Sequence, residues 1–297
     1  ATRGIEPVKV DWDNFRYLTA SVSPALFNAA ANTRWLLSMS FAGEGAEAEG
    51  IVRFRSSGGE EREFSLFLAP INQTLFFPFG AVGFVPEEIT VEVSPPARLS
   101  GLFLEPGALD SSGGAGNIIP VPADPGIILT YDRKFWRQAD YELFRYNLIP
   151  GILIFDFADY AAQRRFFARL AFFVGVTGES GRIEEESYYI GRHVFNAHDY
   201  RPEDMVEFYR KAEREGISLN PEEKLLKEIS IKNGILRMED GKIFPGSGAV
   251  LSVSREIPSY LQRRLLTHEL RHGIFYALPE FREDNFHYYR SRSSEEK

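Results

Sequence analysis

The sequence predicts a multidomain protein, with an N-terminal all-β sandwich followed by an α+β domain. Three features carry this prediction: short alternating strands separated by turn residues, a stretch dense in Gly, Pro and Ser after them, and helical periodicity beyond it. The expected boundaries are 1–104 for the β module, 105–126 for a linker or long loop, and 127–297 for the α+β domain. At 297 residues the chain exceeds the usual single-domain size, in keeping with a division.

In the first part, RWLLSMSF (34–41), GIVRFRS (50–56), EREFSLFLA (61–69), TLFFPFG (74–80), EITVEVS (88–94) and LSGLFLE (99–105) are strand-sized and rich in β-branched and aromatic residues. Clusters such as SSGGEE and VSPPAR separate them at the spacing of an antiparallel sandwich. The aromatics of this module, Trp12, Trp35 and a series of Phe, are expected to fill its inner faces. Rings left exposed would instead stack on sugars, so carbohydrate is a candidate partner of the module.

In the second part, GILIFDF (151–157) is a buried strand, and DYAAQRRFFARLAFFV (159–174) has helical spacing with Asp159 placed to cap it. RPEDMVEFYRKAEREG opens on Pro202 at a first helical position and stops at Gly216. NPEEKLLKEISIKNG repeats that punctuation with Asn220, Pro221 and Gly234. ILRMEDGKIF holds an Asp-Gly turn between two apolar runs, a hairpin signal, and GAVLSVS (248–254) is a further strand.

Composition narrows the function classes. With 44% hydrophobic and 26% charged residues the chain can build an ordinary core, and the expectation is a soluble globular protein. A net charge of -8 argues against a surface that tracks phosphates, so no nucleic-acid partner is expected. No run of eighteen apolar residues exists, so no transmembrane segment is expected either. The opening ATRGIEP suggests a removed signal peptide and a secreted or periplasmic protein, while zero cysteines fit the cytoplasm as well. Nucleotide-binding and serine-esterase motifs are absent from the sequence.

The segment RRLLTHELRHGIFYALPEF (263–281) carries the chemistry. Ile257, Leu261, Leu265, Phe275 and Tyr276 recur at steps of three and four, and His268 and His272 continue that stripe, so both imidazoles are expected to face inward. Residues four apart on a helix lie about 6 Å apart at Cβ, close enough for two imidazoles to converge on one cation. Glu269, about 100° further round the helix, would then reach a water polarised by that cation and act as its base.

HELRH resembles the H-E-x-x-H motif of the zincin metallopeptidases. The resemblance covers about 30 residues, the strand at 248–254 and the helix after it, and so implies a zincin-like domain. It implies zinc as cofactor, His268 and His272 as metal ligands, Glu269 as catalytic base, and a peptide or protein as substrate. It also implies that GAVLSVS is an edge strand holding the substrate extended. Arg271 departs from the uncharged residues usual inside the motif, and Phe275 and Leu278 stand where one subclass needs Gly and His. Glu280, just after the helix-ending Pro279, is the first choice for the third metal ligand, followed by Glu283, His287, His193 and His198.

Two further features have a structural and a functional reading. NAHDY (196–200) is expected to be a capped loop, with Asp199 or a neighbour satisfying helix amides; the functional reading has His198 or Tyr200 stabilising an oxyanion. Asp156 ends a strand, where ions and ligands often bind. The competing overall reading is a non-catalytic extracellular or surface binding protein, with the β module making the contacts and the HELRH helix structural or degenerate.

Overall fold

The computed structural model describes residues 5–10, 17–22, 35–43, 45–68, 70–106, 118–175, 181–189, 192 and 196–295. The chain divides into two compact units, 1–110 with 121–137 and 111–120 with 138–297. Mostly antiparallel sheets and six α-helices make it a mixed α and β protein among the described residues. None of those helices is long and apolar enough to cross a membrane.

The first unit contains β1 (Ile5–Val10), β2 (Tyr17–Val22), β3 (Trp35–Ala42), β4 (Ala48–Arg55), β5 (Glu61–Leu68), β6 (Gln73–Pro78), β7 (Glu88–Val93), β8 (Arg98–Pro106), β9 (Val121–Ala123) and α1 (Pro125–Thr130). Five strands form one antiparallel sheet in the order β1-β2-β7-β4-β5, and three form another, β6-β3-β8. Alternation along β4 buries Val52 and Phe54, and Phe54 meets Phe77 of β6 at 5.0 Å between ring centroids. Phe64 of β5 meets the same Phe77 at 4.5 Å. These rings fill the interior, the use expected of the module's aromatics. Trp12 lies outside the described residues, as does 107–117 of the expected linker.

The second unit holds β10 (Tyr141–Tyr146), β11 (Ile152–Phe157), α2 (Tyr160–Phe173), β12 (Ala197–Tyr200), α3 (Pro202–Arg214), α4 (Pro221–Lys232), β13 (Leu236–Glu239), β14 (Lys242–Pro245), β15 (Ala249–Ser254), α5 (Ser259–Ala277) and α6 (Pro279–Glu295). Local chemistry sets most of these boundaries. Asp159 accepts from the Ala162 amide at the start of α2, and Asn220 and Glu223 form a reciprocal capping box on α4. Asp240 and Gly241, at φ 51° and 75°, make the left-handed turn between β13 and β14.

Side by side in this unit run β12, β15, β11 and β10, with β11 and β15 parallel and the other two pairs antiparallel. GAVLSVS therefore is not an edge strand: β15 is paired on both sides and buried along its whole length, and β12 takes the outer position. Its unbroken apolar and small-residue run fits a central strand covered on both faces. Helix α2 covers one face, where its Gln163 reaches the Ser252 hydroxyl at 2.9 Å, and α5 covers the other.

The helix carrying HELRH is rotated from the expected orientation. Its buried residues are Leu266, Glu269, Leu270 and Gly273, whereas Leu261, Leu265, Phe275 and Tyr276 are only half-buried. The reason lies at Gly273, where a Cβ would meet Ile152 and Leu251 side-chain atoms at 3.2 Å. Without a side chain there, the helix rides closest to the sheet on that side. His268 is consequently exposed and His272 half-buried, so the expected inward pair of imidazoles is corrected to one at the rim and one fully outside.

Pro279 does end α5, and α6 folds against it, bringing the Phe275 and Phe286 rings to 5.6 Å. Leu278 is extended at φ -116°, as a residue before proline prefers, and Pro279 opens α6.

Close backbone approach aligns the two parallel strands. A Cβ on Gly248, which sits at φ +111°, would lie 2.0 Å from the Gly151 carbonyl oxygen. Gly248→Ala should therefore destabilise the protein by about 3 kcal/mol in denaturant titration. Gly216→Ala, at φ +66° but facing open space, should cost only about 1 kcal/mol. Equal costs would show that the Gly151–Gly248 contact does not constrain the sheet.

Candidate functional site

The site forms where α5 crosses β12. Neighbouring residues of paired strands share a face, and Asp199 is the register partner of Leu251, the residue beneath Gly273. Asp199 therefore points to the α5 side. His198 and Tyr200, one residue to either side, point the opposite way into the α2 layer. Their rings lie 6.4 Å and 5.2 Å from Phe167 of α2.

This corrects two expectations. His198 is buried on the far side of the sheet and cannot join the HELRH residues, and Tyr200 has no access to them as an oxyanion donor. NAHDY is not a capped loop either: its last four residues are β12, and α3 begins at Pro202 without a side-chain cap. Asp199 instead accepts a hydrogen bond from the Tyr276 hydroxyl at 2.5 Å.

One oxygen of Asp199, one of Glu269 and a ring nitrogen of His272 all lie within 4.8 Å of one another. Among the described residues this is the sole group of three or more His, Asp or Glu side chains that could hold a metal ion. Next to it, the Nε2 atoms of His268 and His272 are 3.2 Å apart. A tetrahedral ion with nitrogen ligands at about 2.0–2.1 Å separates them by about 3.3 Å, so the two imidazoles fit a zinc-sized cation. The carboxylates share the 4.8 Å distance with His272 and not with His268, which stands outside the group and is linked to it through His272.

Of the other sequence candidates, Glu280 lies in the first turn of α6, exposed, and is not brought to the group. Glu283 and His287 follow it on α6, also exposed and outside the group. His193 lies outside the described residues. Asp156 faces Arg255, whose Nε donates to it at 2.8 Å, so a guanidinium takes the place of the ion or ligand expected there.

Asp199 and Tyr276 are the residues that sequence reasoning missed as site members. The available signal was the alternation in AHDY, which places a lone carboxylate on one strand face and two rings on the other. Tyr276 follows His272 at i+4 and stacks on it at 6.2 Å between ring centroids.

Electrostatics set the state of the pair. Burial, then the hydrogen bond to Asp199 and its negative charge, raise the Glu269 pKa from 4.5 to about 8. Burial and the hydrogen bond to Asp199 likewise raise the Tyr276 pKa, so the phenol stays protonated and donating. Without a cation, Glu269 holds the proton that its neighbour needs at neutral pH.

No family model, no curated protein and no solved structure matches this chain. The elevated Glu269 pKa has a measurable consequence for the metal-free protein. The folded chain binds this proton more tightly than the unfolded chain, so the associated stability is complete below about pH 4.5 and is lost as pH rises through about 8. In Glu269→Gln the stability difference from wild type should therefore change across that window, as read by urea titrations at several pH values. A difference that stays flat with pH would mean that Glu269 titrates normally.

Proposed function

We propose that this protein is a zinc-dependent metallopeptidase of zincin type, with an N-terminal β-sandwich module beside the catalytic domain. The observation that carries the reading is the 3.2 Å approach of the two imidazole Nε2 atoms on α5, with His272 also within 4.8 Å of carboxylate oxygens of Glu269 and Asp199. His268 and His272 would hold the metal, with Asp199 in the third position that the sequence assigned to Glu280. Zinc, when bound, supplies Lewis acidity that brings the pKa of water to near 7.

The other roles belong to the chain. Glu269, next to the imidazoles yet shielded from solvent, takes a proton at its carboxylate oxygen from the attacking water and passes it to the departing amine. A neighbouring cation lowers the carboxyl pKa from its raised value, which turns Glu269 from a proton holder into a base. The Tyr276 hydroxyl fixes the orientation of Asp199, as partners one bond removed from a metal commonly do. Gly273 sets the height of α5 over the sheet and so the reach from Glu269 to Asp199.

Elemental analysis of the purified chain should find about one zinc per molecule, lost in His268→Ala, His272→Ala. Asp199→Asn should weaken zinc at least as much as the about 10–100-fold loss typical when a more distant partner is removed. Glu269→Gln should keep zinc and lose peptide cleavage by about 10²–10⁴-fold. Failure to take up zinc after supplementation would instead favour the non-catalytic reading, with Tyr276, Asp199 and a protonated Glu269 as a self-satisfied polar network under α5.

A further inference from the structure

The side of α5 away from the sheet is basic. A shallow cavity of about 740 Å³, open to solvent, runs along it, lined by Tyr260, Arg263, Arg264, Thr267, His268 and Arg271 among other residues, all of α5. Arg264 and Arg271 stand four residues before and three after His268, so both are its neighbours on the helix surface.

These guanidinium groups lack the carboxylate partner that several other arginines of the chain have. Arg53 pairs with Glu63 and Glu92, Arg165 with Asp140 and Glu222, and Arg255 with Asp156. Among the described residues Arg263, Arg264 and Arg271 have no such carboxylate. Within α5 the one acidic residue is Glu269, and it is buried on the opposite side.

The chain carries 42 acidic residues against 34 Lys and Arg, so a local excess of unpaired cations is not a product of overall composition. Arg264 and Arg271, seven residues apart, stand about two turns from each other on one side of the helix, and an anionic ligand between them would offset both charges. Guanidinium groups bind carboxylates through two parallel hydrogen bonds, a geometry that lysine cannot reproduce.

We propose that this cavity is a carboxylate-binding subsite, which would give the site a substrate class: peptides with a carboxylate next to the bond to be cut. The peptide part of the assignment rests on the peptidase reading above, while the carboxylate part rests on the arginines alone. The carboxylate could come from an Asp or Glu side chain or from a free C-terminus, two sources that the same cavity chemistry would accept.

Fluorescence anisotropy on the full metal-free chain separates these cases. The probes are an end-blocked peptide with two central Asp residues, its Asn counterpart, and the Asn peptide with a free C-terminus. At low salt the Asp peptide should bind about tenfold tighter than the Asn peptide, with the gap shrinking in about 0.5 M NaCl. Arg264→Gln, Arg271→Gln should abolish the preference, and the exposed Arg214→Gln on α3 should retain it. A gain from the free C-terminus alone would assign the subsite to chain ends. Equal affinity for all three probes, or a preference that survives the double substitution, would overturn the proposal. Cleavage is not read, so this result stands apart from zinc content and turnover.

Discussion

Two carboxylates meet beneath α5, and the rest of the site is arranged around that meeting. Glu269 is buried, and Asp199 approaches it from β12 with one lone pair already taken by Tyr276. Two such groups cannot both remain charged without a proton or a cation between them. The alternatives are therefore a shared proton, with Glu269 neutral, or a metal ion on Asp199 whose charge lets the neighbouring Glu269 ionise. His272, within the same 4.8 Å, adds a nitrogen ligand suited to the second.

That meeting depends on packing remote from any chemistry. Parallel pairing of β11 with β15 places Ile152 and Leu251 under α5, and the missing side chain of Gly273 lets the helix settle on them. The register between β12 and β15 then carries Asp199 to the same face. A shift of one residue in that register would send Asp199 into the α2 layer and bring His198 or Tyr200 over in its place. The functional geometry is thus inherited from strand register and one glycine.

Much of the fold was legible because its signals are local. Asp159, Asn220 with Pro221, Pro202, and the Asp240–Gly241 turn act through their own backbone neighbours, and each sits where its chemistry predicts. The orientation of α5 was not legible in the same way. Its apolar stripe of Leu261, Leu265, Phe275 and Tyr276 is only half-buried, and Gly273, which decides the rotation, adds nothing to a hydrophobic period. Asp199 escaped because β12 is four residues long and ends 59 residues before the start of the helix it meets, a pairing that only tertiary structure creates. The central position of β15 was missed for a related reason: edge and centre differ in neighbours, which the strand's own residues report only through their unbroken burial.

Zinc K-edge absorption of the chain loaded with one equivalent of zinc tests the account most directly. It predicts imidazole scattering from two ligands at about 2.0–2.1 Å, with a first shell altered by Asp199→Asn and untouched by Glu280→Gln. A zinc site without imidazole scattering, or one that responds to Glu280→Gln and not to Asp199→Asn, would contradict it.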